Sequence, residues 1–293
     1  DSLTRNNFAT GLIRGDDLAV NIADANGQTS LRFDAGNDPT LSHAEQTGSN
    51  RGVIPWLIGG TTAGNGGNTL VTYNSSSREV ELLDISATTT DFSFQEFAAA
   101  GVLSSATIGG ENTYIDFTAN NADASLDGDT TVRALVIDNT GGQGSDLNLA
   151  GFSLAVESGV LLSTGNQNNQ ILVGGEITFG AATGYEGHIR GTRTIVIDSP
   201  IVDNGGNPVA VTLSGNVQLR GDNTFTGPLT VNTGRNYVYA ANGSTDRIVD
   251  TVVVTVNGNG ILSLNASDET IGGLEGTGGQ GIIENYNNGA AND

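Results

Sequence analysis

Residues 216–231 read Asn216-Val217-Gln218-Leu219-Arg220-Gly221-Asp222-Asn223-Thr224-Phe225-Thr226-Gly227-Pro228-Leu229-Thr230-Val231. Val217 and Leu219 alternate with polar neighbours, and so do Leu229 and Val231, which gives two short half-buried strands. Between them, Phe225 points inward while Thr224 and Thr226 face solvent, and Gly227-Pro228 turns the chain into the second strand. Asn232 and Gly234 suit the next corner, where stacked Asn side chains can form hydrogen-bonded ladders from coil to coil.

The same pattern recurs outward from this stretch. Short alternating runs at 132–137, 147–149, 153–156, 176–179, 194–197, 209–213, 251–256 and 260–264 read as strands, separated by corners such as Asn139-Thr140-Gly141-Gly142, Ser158-Gly159 and Asp203-Asn204-Gly205-Gly206. Strand centres near 154, 177, 195, 211, 229, 252 and 271 are spaced at about twenty residues, the period of a solenoid whose coils stack Val, Ile and Leu into one stripe. A β-sandwich would show antiparallel strands every 8–12 residues, and part of the pattern can be fitted to that alternative. The favoured class is all-β, a parallel β-solenoid. Roughly a dozen coils at about 4.8 Å each would make a rod on the order of 60 Å long.

Residues 1–130 are less regular than residues 131–293. Strand-like runs lie at Leu18–Ile22, Ser30–Phe33, Thr69–Tyr73, Glu79–Ile85 and Thr113–Phe117. The segment 91–101 predicts a short helix, capped by Asp91 and ended by Gly101. Residues 34–68, with Pro39, Pro55 and Trp56, read as an excursion from the stack, where solenoids carry added function.

Composition narrows the chemistry. Of 293 residues, 11 are basic and 32 acidic, for a net charge of −21. All the basic residues are Arg, and there is no Lys, Cys or Met, which excludes disulfides, thiol catalysis and Schiff bases. The acidic balance argues against nucleic-acid binding, which draws its strength from neutralised phosphates. No apolar run reaches the length of a membrane-spanning helix, and Asp1 opens the chain without a signal-peptide pattern, so the start reads as processed or truncated.

Leu213-Ser214-Gly215 followed by residues 216–231 and Asn232-Thr233-Gly234 resembles the autotransporter-associated β-strand repeat, with its Asn-Thr-aromatic-Thr-Gly core and Thr-Val-Asn-x-Gly ending. Ile271-Gly272-Gly273-Leu274-Glu275-Gly276-Thr277-Gly278-Gly279 is similar to the turn that follows it in that family, and Arg51–Trp56 and Thr69–Tyr73 resemble segments found upstream. The resemblance implies a right-handed parallel β-helix, secreted or displayed on the surface of a Gram-negative bacterium, with an adhesive or structural role. The family's membrane-embedded translocator barrel has no counterpart here.

Several constellations carry groups capable of chemistry. Asp123, Asp127 and Asp129 resemble a fragment of a calcium loop but lack its distal Glu, so a solvated turn is preferred. Arg14-Gly15-Asp16 and Arg220-Gly221-Asp222 spell an adhesion tripeptide, which corner geometry also explains. His43 and His188 are the only histidines and read as surface residues. Polysaccharide lyases and hydrolases on β-helices use clustered acids with a basic group; Asp116, Glu186, Asp198, Arg190 and Arg193 could supply them, and 186–193 is where acid, imidazole and guanidinium crowd together. Trp56 with Pro55 offers a sugar-stacking platform, although a lone Trp usually packs.

The resulting expectation is a non-enzymatic structural protein with no assigned catalytic, cofactor or metal residues. Solenoid ends expose unpaired strands, neither terminus carries an obvious cap, and copies stacked end to end would propagate into a filament. Surface polysaccharide or cell-surface receptors are the other partners considered; a carbohydrate-binding or carbohydrate-cleaving β-helix and a protein adhesin are the alternatives. Nucleic acid and membrane insertion are not expected.

Overall fold

The computed structural model describes residues 5, 9–14, 31–44, 47–60, 67–88, 90–141, 144–167, 170–181, 184–238, 246–265, 268–276 and 279–285. With 48% strand and 3% helix it is an all-β protein, a parallel β-solenoid of about seven turns. No helix of the described residues is long and apolar enough to cross a membrane.

Each coil has three faces. The first face is a ladder of Ser93–Phe97, Asn112–Phe117, Ala134–Asn139, Val160–Gly165, the first halves of Glu186–Ile197, Ala210–Leu219 and Leu229–Val238, then Val253–Val256 and Gly273–Glu275. Its register aligns Leu135, Leu161, Ile189, Leu213, Val231 and Val256, all buried in one continuous core. Gly101–Leu103, Ala124–Leu126, Asp146–Asn148 and Gln170–Val173 begin the second face, which ends at Gly260–Ser263 and Ile282–Glu284. Thr130–Val132, Ser153–Val156 and Glu176–Phe179 form the third, extended by a bridge from Ile177 to Ile201.

Alternation puts the apolar member of each pair inside, so burial of a stripe of Val, Ile, Leu and Phe drives the stacking. Phe225 is fully buried in this core, and Thr224 and Thr226 are exposed, as their alternation requires. The Asn ladder forms too, with Asn257 Nδ2 donating to Asn232 Oδ1 at 2.6 Å.

Three expectations are corrected. Coils run from 18 residues (Leu213 to Val231) to 28 (Leu161 to Ile189), so fewer than a dozen fit; three strands and their corners need more chain than a two-strand repeat. At about 4.8 Å per coil, seven turns stack to roughly 35 Å. Residues 93–97 are a strand in register with Thr113–Phe117, not a helix. There Phe97 enters the core while Phe94 stacks on Tyr114 with ring centroids 5.2 Å apart, an alternation that overrides helix propensity. The parallel ladder therefore starts at Ser93, inside the segment expected to be irregular. The strand expected at Leu18–Ile22 lies outside the described residues.

The described residues upstream of Ser93 fold as a lobe against the solenoid's flank. Gly11–Arg14 pairs parallel with Leu57–Gly60, which pairs antiparallel with Thr69–Asn74, which pairs antiparallel with Glu79–Leu82. The excursion at 34–68 belongs to this lobe. Phe33, Ile54, Leu57, Val71, Tyr73, Val80 and Leu82 make its own core. Its other side, Val53, Ile58, Leu70 and Leu83, packs on Tyr114, Ala134, Val136, Val160 and Leu162, the outward residues of the solenoid's first face. Those strands are buried on both surfaces, which explains why Ala134–Ile137 and Val160–Leu162 are unbroken apolar runs.

Candidate functional site

Along the first face the outward positions change from apolar to polar. Glu186, His188 and Arg190 project outward from one strand, while Ile189 between them enters the core. Gly187 is required here, because a Cβ would lie 2.7 Å from the Phe179 ring. The next coil adds Thr212 and Ser214 opposite His188 and Arg190.

The lobe closes over this polar end. Arg5 Nη1 donates to Glu186 Oε2 at 2.6 Å and Nη2 to Oε1 at 2.5 Å, and Thr212 Oγ1 donates to Oε1 at 3.1 Å. Thr10 Oγ1 lies 3.1 Å from Ser214 Oγ and accepts from Asn232 Nδ2 at 3.4 Å. The Gly11 amide donates to the Trp56 carbonyl at 2.9 Å, which anchors Trp56 to the lobe's first strand. On the other flank His43 Nε2 sits 3.1 Å from Glu157 Oε2.

Between lobe and solenoid lies a cavity of about 350 Å³, lined among the described residues by Arg5, Thr40, Leu41, Pro55, Trp56, Glu186 and His188. A small annex of about 20 Å³ adjoins it, bounded by Trp56, His188, Arg190 and Thr212 among others. Burial alone would raise the Glu186 pKa, but hydrogen bonds from Arg5, the charges of His188 and Arg5, and Thr212 outweigh it and hold the carboxyl below its ordinary value. His188 is pushed down to about 4 by burial, against the pull of Glu186, so the imidazole is neutral at physiological pH. Its Nε2 is 3.5 Å from Glu186 Oε1, and its Nδ1 is buried without a hydrogen-bond partner among the described residues. Burial and the charge of Arg14 lower the Arg190 pKa.

The fold thus unites two features that the sequence offered separately, Trp56 and the Glu186–His188–Arg190 run. Arg193 is exposed, and neither it nor Asp116 nor Asp198 lines the cavity. His188 is buried rather than superficial, a correction that follows from the lobe lying over it. Arg5, Thr10 and Thr212 were not anticipated. The signal that could have found the covered face is the unbroken apolar run at 134–137 and 160–162, which needs a partner on both sides.

The carboxylates considered for calcium have structural partners. Asp127 Oδ1 accepts from the Ser105 amide at 2.8 Å, Asp129 Oδ1 from Ser153 at 2.9 Å and Asp123 Oδ1 from Asp146 at 3.1 Å, each linking neighbouring coils. Among the described residues no group of three or more His, Cys, Asp or Glu is placed to hold a metal ion. In the second adhesion tripeptide, Asp222 forms an ion pair with Arg247, and Gly221 abuts the Ser199 carbonyl. Gly15 and Asp16 of the first lie outside the described residues.

No family model, curated protein or solved structure matches this chain.

Proposed function

We propose that this chain is a non-enzymatic structural protein of the bacterial exterior, a subunit or segment of a surface fibre that extends head to tail through its terminal coils. The observation that carries the reading is the state of the two ends. Gly273–Glu275 and Ile282–Glu284 each pair on one side only among the described residues, and there Leu274, Ile282 and Ile283 are 59, 43 and 41% exposed. At the opposite end Ser93–Phe97 and Gly101–Leu103 are also paired on one side, with Val102 68% exposed. Both edges belong to the same two parallel ladders, so a second copy can continue the stack without reversing its direction. Such a contact is heterologous and does not close on itself.

The cleft's chemistry bears on the carbohydrate-cleaving alternative. Glycoside hydrolysis needs two carboxyl groups, one with a raised pKa to act as acid. The one carboxylate that lines the cavity, among the described residues, is ionised and engaged by Arg5. An acidic chain with no Cys or Met, insensitive to thiol redox chemistry, suits an extracellular setting.

Sedimentation velocity and electron microscopy across a concentration series test the assembly. The expected result is concentration-dependent rods, abolished by a Leu274→Asp, Ile282→Asp double variant that keeps its circular dichroism. Dispersed monomers of the parent chain at every concentration would overturn the proposal.

A further inference from the structure

We propose that the cleft between the lobe and the solenoid binds a neutral saccharide, stacked on Trp56 and hydrogen-bonded by Thr40 and the Arg5–Glu186 pair. This site is independent of the end-to-end contact and lies on the flank of the rod.

Three observations converge on it. The cavity, at about 350 Å³, is of small-molecule size. Its wall mixes apolar surface, Trp56, Pro55 and Leu41, with polar groups, Arg5, Thr40, Glu186 and His188. That mixture matches a sugar ring, which offers C–H groups on its face and hydroxyls around its rim. Trp56 is only half-buried: it packs against the lobe's core and also lines the cavity.

The second observation is the fixed pair on that wall. Arg5 and Glu186 line the cavity and hold each other by two hydrogen bonds, which sets a donor and an acceptor in place for ligand hydroxyls.

The third is charge. The chain carries a net −21, and the cleft's guanidinium is engaged by Glu186. An anionic sugar would meet an unfavourable field and a carboxylate on the wall. A neutral saccharide is not repelled by either, and its hydroxyls can both donate to Glu186 and accept from Arg5.

Trp56 is the single tryptophan of the chain, so its emission reports on this site alone. The full chain is titrated with neutral cello-, malto-, xylo- and chito-oligosaccharides, and with oligogalacturonate as the acidic counterpart. A saturable shift of Trp56 emission by a neutral series is expected. Thr40 is exposed at the cleft, so Thr40→Trp narrows it without touching a core; calorimetry should show affinity weakened at least about tenfold. Trp56→Phe, also read by calorimetry, should weaken binding less and serves if Thr40→Trp does not fold. No response to any neutral series, a response confined to the acidic oligomer, or binding indifferent to both substitutions would overturn the proposal. These readouts are unaffected by the Leu274 and Ile282 variants, so this site and the assembly stand or fall separately.

Discussion

Arg5 and Glu186, 181 residues apart, form a two-pronged ion pair that fastens the N-terminal lobe to the solenoid's first face. Their side chains are 18 and 11% exposed, so the pair is largely withdrawn from water. Removing one partner from such a pair leaves the other charged and unmatched, which costs more than the pair contributes in water.

Arg5→Ala should therefore destabilise the protein by about 3 kcal/mol and raise the Glu186 pKa, because burial would then be opposed only by His188 and Thr212. Thermal unfolding measures the first effect and carboxylate titration by nuclear magnetic resonance the second. An Arg5→Met, Glu186→Leu double variant should recover most of the loss. A double variant as unstable as the single one would show that the pair does not couple lobe and coil.

Two groups give stability opposite pH dependences. The folded pKa of His188 lies near 4, below its ordinary 6.5, so between these values the unfolded chain binds the extra proton. Stability from the neutral imidazole is present above 6.5 and is lost as pH falls towards 4. His188→Gln should flatten that acid limb in a plot of Tm against pH.

Asp146 runs the other way. Burial, then the charges of Asp123 and Asp198, raise it from 3.8 to about 6. The folded form holds its proton more tightly, so its contribution is full below 3.8 and is lost as pH rises through 6. Asp146→Asn should raise Tm in alkaline buffer and leave it unchanged in strong acid. An equal gain at both extremes would contradict this origin.

Gly215 tests the packing of corners. Its φ is +87°, and a Cβ there would sit 1.9 Å from the Gly191 carbonyl oxygen of the preceding coil. Gly205 also has positive φ (+59°) but has nothing within 4 Å. Gly205→Ala should cost about 1 kcal/mol from backbone strain, whereas Gly215→Ala should cost at least about 3 kcal/mol by forcing two coils apart. Denaturant unfolding of both variants compares them directly.

Asn223 joins three coils through one amide. Its Oδ1 accepts from the Ile201 amide at 2.9 Å and its Nδ2 donates to the Arg247 carbonyl at 2.9 Å. Asn223→Asp keeps the acceptor and loses the donor, so it should cost less than Asn223→Ala, about 2 kcal/mol against about 3. Equal losses would mean that the link to Ile201 contributes nothing.

Much of the solenoid is legible in the sequence because its rules are local. Alternation around Val217, Leu219, Leu229 and Val231 fixes which side chains enter the core, and Gly and Asn mark the corners. The helix expected at 91–101 shows where local rules yield: Ala and Glu favour it, yet pairing with 113–117 and the burial of Phe97 draw 93–97 into a strand. Coil length was read too short because strand spacing along the chain does not reveal how many faces a coil has.

The stacked architecture is already written in the amino-acid order, since a period in apolar residues demands a periodic core. It is the tertiary fold that lays the described residues between 5 and 88 against the solenoid's flank. That docking joins Arg5 to Glu186 and sets Trp56 and His188 on one cavity, residues more than a hundred positions apart, and no local pattern encodes such a meeting. It arises because strands 134–139 and 160–165 carry apolar side chains on both surfaces and the lobe supplies the second surface they need.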